Sequence, residues 1–463
     1  MGPRVCTFGR HAVCLVAVIA GLVGLSAVAT DLCARAQSAS TSEGSPPSLP
    51  DTTARPAADS TLGRAALWRQ KRRAKSRRMT PPETGVFGRA KRFISRVGGT
   101  VLPRRLILTI PQLSVAGLHP LIEELDGLGG GVLYEPPDLN ASDQLVSLEA
   151  TGSLDREYAA EMLLGVESHR YVGYAYGRFR HRPDEDFYGL GTDSREADRA
   201  VYRLNQGIFG GLLGRSFGEN ALLGGHASVQ LNRFGPGRGD LPGVRERFGA
   251  SMPGVSRNVN YLMLGSFFEL DLRDTPYQRE FGHRFAPTEE RLRSVSLEAT
   301  RGLYLAAEVT HNVDVRHHDF DFTRFTVDMR EFLPIDEELL HGFAFRQFAS
   351  VTRSADGQMP FYRLQSIGGA RSLRGYRSDR FRDRNVLLVN AEVRCQIWHR
   401  LDMAVFTDAG HVFRDLDALQ FADPRVGYGV GFRVKKDGQT LGRIDFARSV
   451  EGFRTTVDLG SLF

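Results

Sequence analysis

The sequence predicts an all-β fold: a transmembrane antiparallel β-barrel of about 16 strands, preceded by a disordered basic N-terminal arm. Three observations support this prediction. Apolar and polar residues alternate with period two from residue 106 onward, and many of these stretches are ten or more residues long. The only long uncharged apolar run covers residues 12–30, which allows one helical span at most. A mean hydropathy of −0.26 also argues against a polytopic helical membrane protein.

The first 36 residues have the three parts of a secretory signal peptide. A positively charged start is followed by an apolar stretch over 12–25 and by small residues that allow cleavage after Ala29 or Ala36. An uncleaved anchor helix is the alternative, although the apolar run is short for a membrane span. A chain cleaved after Ala36 keeps only Cys395, so an intramolecular disulfide is then excluded.

Residues 37–105 are predicted to form a disordered linker, rich first in Ser and Pro and then in basic residues. They contain fifteen Lys or Arg against four acidic residues, and twelve of the basic residues lie in 64–96. This arm either contacts anionic lipid headgroups or is a solvated tether. Residues 106–463, the predicted outer-membrane barrel, are mildly acidic. We therefore expect no nucleic-acid partner, because such a partner needs positive charge on the fold itself.

The predicted strands have one apolar and one polar face. In 385–398 the polar face carries Asn390, Glu392 and Arg394, and aliphatic residues alternate with them. A soluble sandwich and an outer-membrane barrel both produce such strands. Long stretches such as 201–214 and 258–273 exceed the strand length of about 5 to 6 residues that is common in soluble sheets, which favours the barrel. Further alternating stretches cover 303–310, 324–330, 401–409 and 426–434.

The connections and strand ends fit the same architecture. We expect long outer loops on one rim and short periplasmic turns on the other. The candidate long connections, rich in Gly, Pro or charge, are 183–199, 234–257, 275–291 and 354–384. Aromatic residues expected in the interfacial girdles are Tyr171, Tyr174, Tyr176, Phe179, Phe187 and Tyr188. Phe463 closes an alternating segment and is the predicted C-terminal strand signal.

Two motifs occur in order within the last hundred residues. The first consists of Gly368, Gly369, Leu373, Arg374, Gly375 and Tyr376, and the second of Phe406, Asp408 and Gly410. They resemble the sixth-loop signature and the following strand motif of the bacterial surface antigen superfamily, which includes the BamA and TamA barrels. The segment from Asp186 to Gly191, followed by Asp193, resembles members with little beyond the barrel. The similarity covers residues 120–463.

The strand motif places its three residues on one lumen-facing side, because side chains alternate along a strand. The resemblance implies that the loop folds back into the barrel and brings Arg374 beside Asp408, with Phe406 as a stacking surface. An ordinary surface turn at Arg374 is the alternative. Family members that assemble other proteins carry POTRA domains before the barrel. Residues 37–105 are too short and too polar for one, so the sequence indicates a member without POTRA domains.

Signals for an enzyme or a cofactor are weak. The sequence from Gly214 through Ser216 to Gly218 matches a nucleophile-elbow pattern, but that pattern needs a following helix, and the neighbouring residues favour strands. His317 and His318 with nearby aspartates are better explained by an exposed loop than by a metal site. We therefore predict no catalytic, cofactor-binding or metal-binding residues.

Three classes of function remain. The first is an assembly or translocation factor in the outer membrane of a Gram-negative bacterium, with the lipid bilayer and unfolded outer-membrane proteins as partners. The seam between its first and last strands would perturb the bilayer or template client strands by edge pairing. The second is a passive channel with a loop-plugged lumen. The third, disfavoured by the missing catalytic set, is a barrel lipase or protease.

Overall fold

The computed structural model describes the chain from residue 99 to residue 459 with several gaps. The described ranges are 99–102, 105–108, 116–125, 127–136, 144–168, 170–218, 220–238, 240–274, 299–336, 341–354, 358–398, 400–415, 423–436 and 439–459. All of them belong to the second of two compact units, Pro81–Phe463. The predicted signal peptide, the basic segment 64–96 and Phe463 lie outside the described residues.

The described part of the chain is almost entirely β-strand. The strands are β1 (Gly99–Leu102), β2 (Arg105–Leu108), β3 (Leu118–Leu125), β4 (Gly127–Tyr134), β5 (Gln144–Ser153), β6 (Tyr158–Glu167), β7 (Tyr171–Phe187), β8 (Ala200–Phe217), β9 (Ala221–Pro236), β10 (Tyr261–Asp271), β11 (Gly302–Asp314), β12 (Phe322–Asp336), β13 (His341–Ser354), β14 (Gln365–Ile367), β15 (Phe381–Asp383), β16 (Asn385–Trp398), β17 (Leu401–Phe413), β18 (Arg425–Lys436), β19 (Gln439–Ser449) and β20 (Gly452–Leu459). One α-helix, α1, covers Val244–Phe248, and single 3₁₀ turns cover Glu196–Asp198 and Phe361–Arg363. No helix among the described residues is long and apolar enough to cross a bilayer.

The strands form one antiparallel meander. Consecutive strands pair from β1 to β13, β13 pairs with β16, and pairing continues to β20. Cα atoms of β20 come within 8 Å of those of β3, so the two ends of the wall meet. The wall has 16 strands, β3–β13 and β16–β20, which confirms the predicted fold class and strand number. Only β14 and β15 pair separately, within the connection between β13 and β16.

The β1–β2 hairpin is attached to the first edge of this wall. Residues of β2 pair with β3 in the register Arg105 with Glu123 and Leu106 with Ile122. Cα atoms of β1 also approach β19 within 8 Å. β1 lies in the segment 37–105 that the sequence assigns to the linker. The sequence misses this hairpin because its strands have only four residues each, too few to show alternation.

Antiparallel order divides the connections between two ends of the barrel. Residues 188–199, 237–260 and 355–384 lie at one end, called the loop end, and the opposite end, the turn end, carries the short turns of residues 168–170 and 218–220. The connection 272–301 also lies at the turn end, because it joins β10 to β11. This differs from the expected placement of long loops on one rim only. Composition identifies a long connection, but only the strand count assigns it to a rim.

The six aromatic residues expected in the girdles divide into three groups. Tyr171 and Phe179 are exposed on the outward face of β7. Tyr174 faces inward and joins an apolar cluster, against which Tyr176 packs. Phe187 and Tyr188 are buried at the loop end. Alternation along β7 explains the split, because residues one apart in sequence face opposite sides of the wall.

The two sides of the lumen differ in chemistry. Inward-facing residues of β5–β10 near the turn end form an apolar cluster of Leu145, Leu163, Val172, Tyr174, Leu212, Leu222 and Phe267. Inward-facing residues of β12–β20 include many that are charged. Four arginines with fully buried side chains, Arg330, Arg346, Arg374 and Arg443, lie on this charged side.

Candidate functional site

The connection between β13 and β16 enters the lumen from the loop end. The short strands β14 and β15 pair as Gln365 with Asp383 and Ile367 with Phe381, and the chain between them makes a tight turn. Gly368, Gly369 and Gly375 adopt φ of 133°, 84° and 91° there, a region that other residues rarely occupy. The motif glycines therefore shape a turn that presents Arg374 at its tip.

Arg374 is clamped between two carboxylates of the barrel wall. Its Nε donates to Asp408 Oδ2 at 2.7 Å and its Nη2 to Asp408 Oδ1 at 2.7 Å, a bidentate pair. Its Nη1 donates to Glu392 Oε2 at 3.0 Å. The backbone N–H of Arg374 also donates to Asp408, at 3.0 Å. All three side chains are fully buried, so the pairing is insulated from water and each charge depends on the others.

The wall is shaped to receive the arginine. The Arg374 guanidinium lies 3.4 Å above the ring of Phe406, a short cation–π contact. A Cβ at Gly427 of β18 would collide with the Arg374 carbonyl oxygen. A Cβ at Gly410 would lie 2.6 Å from Ile367 Cδ1. Glycine at these two wall positions thus leaves room for the loop.

Further polar and charged side chains surround Arg374 and its two carboxylate partners. Asn390 Nδ2 donates to Asp408 Oδ1 at 2.7 Å and to the Ser372 carbonyl at 2.6 Å, so it ties the loop backbone to the wall. Arg433 Nη2 lies 2.8 Å from Glu392 Oε1. Buried carboxylates and guanidiniums therefore alternate, which limits the cost of removing each from water.

The loop also contacts the last three strands. The Tyr376 hydroxyl donates to the Val426 carbonyl of β18 at 3.2 Å, and Ser449 Oγ of β19 donates to the Gly375 carbonyl at 2.8 Å. Arg371 Nη2 donates to Asp458 Oδ1 of β20 at 2.5 Å. The loop thus connects the last three strands of the wall, β18–β20, to the barrel interior.

The segment Asp186–Asp193 crosses the mouth of the barrel at the loop end. It begins with the last two residues of β7, yet Thr192 Oγ1 donates to the Val412 carbonyl of β17 at 2.9 Å and Gly191 N donates to the Arg382 carbonyl at 3.0 Å. Arg425 of β18 pairs with Asp193 at 3.0 Å. The third sequence motif therefore bridges opposite sides of the wall.

An exposed ion-pair cluster completes the attachment. Arg377 Nε donates to Glu196 Oε1 at 2.7 Å, and Arg454 of β20 pairs with the same oxygen at 3.0 Å. The hydrogen bond from Arg377 holds the pKa of Glu196 below its ordinary value. Arg380 pairs with Glu451, in the turn between β19 and β20, at 2.7 Å.

Aromatic packing fills the loop end. The Phe361 ring centroid lies 5.1 Å from that of Phe187 and 4.9 Å from that of Tyr202. These rings belong to a buried cluster that includes Val244 of α1 and Phe322 of β12. Burial raises the pKa of Tyr362, in the same cluster, to about 12. The described loops therefore form an apolar cap over the lumen.

The structure brings the two sequence motifs together. Leu373 and Tyr376 are buried in one cluster, and Arg374 meets Asp408 above Phe406. Sequence reasoning did not assign roles to Glu392, Arg433 or Asn390. The sequence shows them as polar or charged residues at inward-facing positions of neighbouring strands. Which of them meet across the strands can be known only once the strand register is known.

The nucleophile-elbow pattern forms no elbow. Ser216 lies within β8, Gly218 turns the chain, and β9 begins at Ala221, so a strand follows where the elbow requires a helix. His317 and His318 lie in the exposed turn between β11 and β12, where His318 Nδ1 is 3.1 Å from Asp321 Oδ2.

Fold and site together define a class: a transmembrane β-barrel in which the connection between β13 and β16 folds back and is anchored inside the lumen. A family model described as the Omp85 superfamily domain matches residues 289–455. Over these residues the chain is similar to that superfamily, in agreement with the resemblance that the two sequence motifs indicate.

Solved structures are similar to this chain, and BamA shows the same fold. BamA from Haemophilus ducreyi lacking POTRA domains 1–3 has a TM-score of 0.54 and 13% identity, covering 84% of this chain and 81% of that chain. CdiB from Acinetobacter baumannii has a TM-score of 0.43 and 13% identity, covering 79% and 66%. CdiB from Escherichia coli has a TM-score of 0.46 and 10% identity, covering 85% and 70%. No curated protein matches the chain in sequence.

Proposed function

We propose that this chain is an outer-membrane factor that aids the insertion or translocation of other proteins. The observation that carries the proposal is the loop anchored at Arg374. It links the lumen to β18–β20, which form one end of the wall. A loop held this way supports the last strands from inside while their outer edge faces β3.

The first edge of the wall offers a place for a client strand. β3 pairs with β4 along one edge and with β2, a strand of only four residues, along the other. An extended client segment could replace β2 and add to β3 through backbone hydrogen bonds, which is the general mode of β-augmentation. Residues 37–105 show no POTRA pattern, so we place the receiving step at this edge.

The cap argues against the passive-channel alternative. Ion flow needs a continuous aqueous path, and the described loops pack an aromatic cluster over the mouth. The third alternative, a barrel lipase or protease, lacks support because Ser216 lies in a strand.

The test compares channel conductance with client folding in the same liposomes. A Leu106→Cys, Ile122→Cys pair in a Cys395→Ser background places two cysteines opposite each other on β2 and β3. If clients use this edge, oxidation should slow the folding of an unfolded outer-membrane barrel at least tenfold, and reduction should restore it. The matched control is Val430→Cys, Phe446→Cys, which pairs β18 with β19 within the continuous wall.

The outcomes separate the hypotheses. Acceleration of client folding that is lost only in the oxidised β2–β3 pair supports the assembly function. Conductance without any acceleration of folding would instead identify a passive channel. Equal loss in both oxidised pairs would show that general flexibility of the wall matters, and the edge would not be the client site.

A further inference from the structure

A group of hydrogen-bond donors lies on the outward face of the barrel near the loop end. Asn205 of β8 pairs in register with His181 of β7 on one side and with Arg233 of β9 on the other. Arg203 lies two residues further along β8, diagonal to Arg233. All four point away from the lumen, because the intervening Leu204 and Asn232 are buried on the inner side.

The outward face of β7–β9 carries a band of apolar residues, and these four residues lie at the boundary of the band that is nearer the loop end. The row below them consists of Phe179, Gly207 and Leu231, with Phe179 and Leu231 exposed on the outward face. Arg215 of β8, which pairs in register with Tyr171, lies at the boundary of the band nearer the turn end. Asn205 and Arg215 are ten residues apart in sequence. At about 3.3 Å per residue and a tilt of about 40°, they are separated by about 25 Å along the barrel axis. This is the height of the hydrocarbon layer, so the donor group lies at a lipid–water interface.

The strand register makes the two arginines diagonal neighbours on the outward face. Arg203 Nη2 lies 2.7 Å from the position that a Cβ would take on Gly235, so this side chain lies flat across β9. Gly235 is two residues from Arg233 on the same face. Diagonal cross-strand neighbours are about 7 to 8 Å apart at Cα, and two arginine side chains can meet over that distance.

Asn205 contributes a third donor. His181 Nδ1 lies 2.5 Å from Asn205 Oδ1, and the ring nitrogen must donate there because an amide oxygen only accepts. His181 is itself held by stacking on Tyr158, with ring centroids 4.4 Å apart. The NH₂ group of this amide forms no hydrogen bond with another described side chain, so it remains available as a donor to a ligand.

The group has donors but no acidic partner among the described residues. Neither Arg203 nor Arg233 forms an ion pair or a side-chain hydrogen bond with another described residue, whereas the lumen arginines are paired with acids. Asp184, in the bulge opposite Arg203, accepts the backbone N–H of Arg238. Two unpaired guanidiniums beside an apolar band are stabilised by an anion, and their fork geometry suits phosphate.

We propose that Arg203, Arg233 and Asn205 bind a phosphate group of a lipid headgroup in the outer leaflet. The inference rests on the outer-membrane location in the proposed function, but not on client insertion. A phosphorylated headgroup in the leaflet at the loop end places its phosphate just beyond the hydrocarbon layer, at the depth of these donors. The site therefore anchors the β7–β9 side of the barrel to this leaflet.

The experiment measures lipid retention by the full-length protein in neutral detergent with native mass spectrometry. The probes are bis-phosphorylated lipid A, the same lipid with both phosphates removed, phosphatidylglycerol and inorganic phosphate. The wild type should retain bis-phosphorylated lipid A and release the dephosphorylated form. The Arg203→Gln, Arg233→Gln variant should bind lipid A at least tenfold more weakly.

Two further variants make the result specific. Arg215→Gln removes an outward arginine at the opposite boundary and should bind like the wild type. Asn205→Asp replaces a donor by a negative charge and should weaken binding without removing either arginine. Folding of each variant is checked by its heat-modifiable migration in gels, which does not depend on lipid binding.

Several results would overturn the proposal. One is equal retention of bis-phosphorylated lipid A by the wild type and the Arg203→Gln, Arg233→Gln variant. Another is a loss of lipid A binding in Arg215→Gln as large as the loss in that double variant. Retention of dephosphorylated lipid A would show that acyl chains, not phosphate, are recognised. If inorganic phosphate binds and lipid A adds no affinity, the site takes a free anion and the lipid source is excluded.

Discussion

The loop 358–384 is held at two places of opposite physical character. Inside the barrel, Arg374, Asp408 and Glu392 are fully buried, with donor–acceptor distances of 2.7 to 3.0 Å. At the surface, Glu196 makes equally short contacts with Arg377 and Arg454, but these side chains are 24 to 42% exposed. Distance alone therefore does not rank the two anchors.

The difference in solvent exposure decides their importance. Removing one partner of a buried pair leaves a charge that water cannot reach, and this costs about 3 to 5 kcal/mol. Exposed pairs are screened and contribute about 0 to 1 kcal/mol. The inner anchor should hold the loop in place, and the outer anchor should adjust its position at the rim.

The largest effect is expected for Arg374→Ala. This change leaves the Asp408 and Glu392 carboxylates buried beside a cavity, so the free energy of unfolding should fall by about 3 to 5 kcal/mol. The measurement is urea-induced unfolding in detergent, followed by loss of the folded band in unheated gels. Arg374→Lys keeps the charge but not the bidentate geometry, so its free energy of unfolding should lie between those of the wild type and Arg374→Ala. A loss below about 1 kcal/mol would place the inner anchor among ordinary surface pairs.

The smallest effect is expected for Glu196→Gln. At neutral pH the free energy of unfolding should fall by less than about 1 kcal/mol, and added salt should reduce the difference. The pKa of Glu196 is lowered in the folded state. Its contribution is therefore present above the pKa of the unfolded chain and is lost as the pH falls through the folded value.

This pH dependence gives a direct check. The stability difference between wild type and Glu196→Gln should disappear in acid, where Glu196 is protonated. Glu246→Gln changes an exposed acid of α1 and serves as the control. A difference between wild type and Glu196→Gln that grows as the pH falls would reverse the sign and contradict the assigned cause.

The fold could be predicted from sequence because a lipid-facing barrel imposes alternation on every strand. The segment 385–398 shows this most clearly, and its predicted bounds agree with β16. The β1–β2 hairpin was missed because four-residue strands carry too little pattern. Tyr174 was misplaced in the girdle because composition near a strand end does not show which face a residue occupies.

The site could be predicted only in part. The motifs named Arg374, Asp408 and Phe406, and the alternation placed Asp408 and Phe406 on one side. Glu392 was visible only as a polar residue of a strand, because its pairing with Arg374 and Arg433 depends on the register of β16 through β18. The space at Gly427 depends on how closely the loop approaches the wall, which no sequence pattern encodes.

The central claim is that the pair of Arg374 and Asp408 holds the loop inside the barrel. Trypsin added to intact cells tests it, because the loop contains Arg377, Arg380 and Arg384 as cleavage sites. The wild type and an Arg316→Ala control, changed in the exposed turn between β11 and β12, should resist cleavage within 355–384. Arg374→Ala and Asp408→Ala should both be cleaved there while the barrel stays folded. The double variant should be little worse than either single one, because the two residues share one interaction. Equal resistance of the wild type and both single variants would contradict the account.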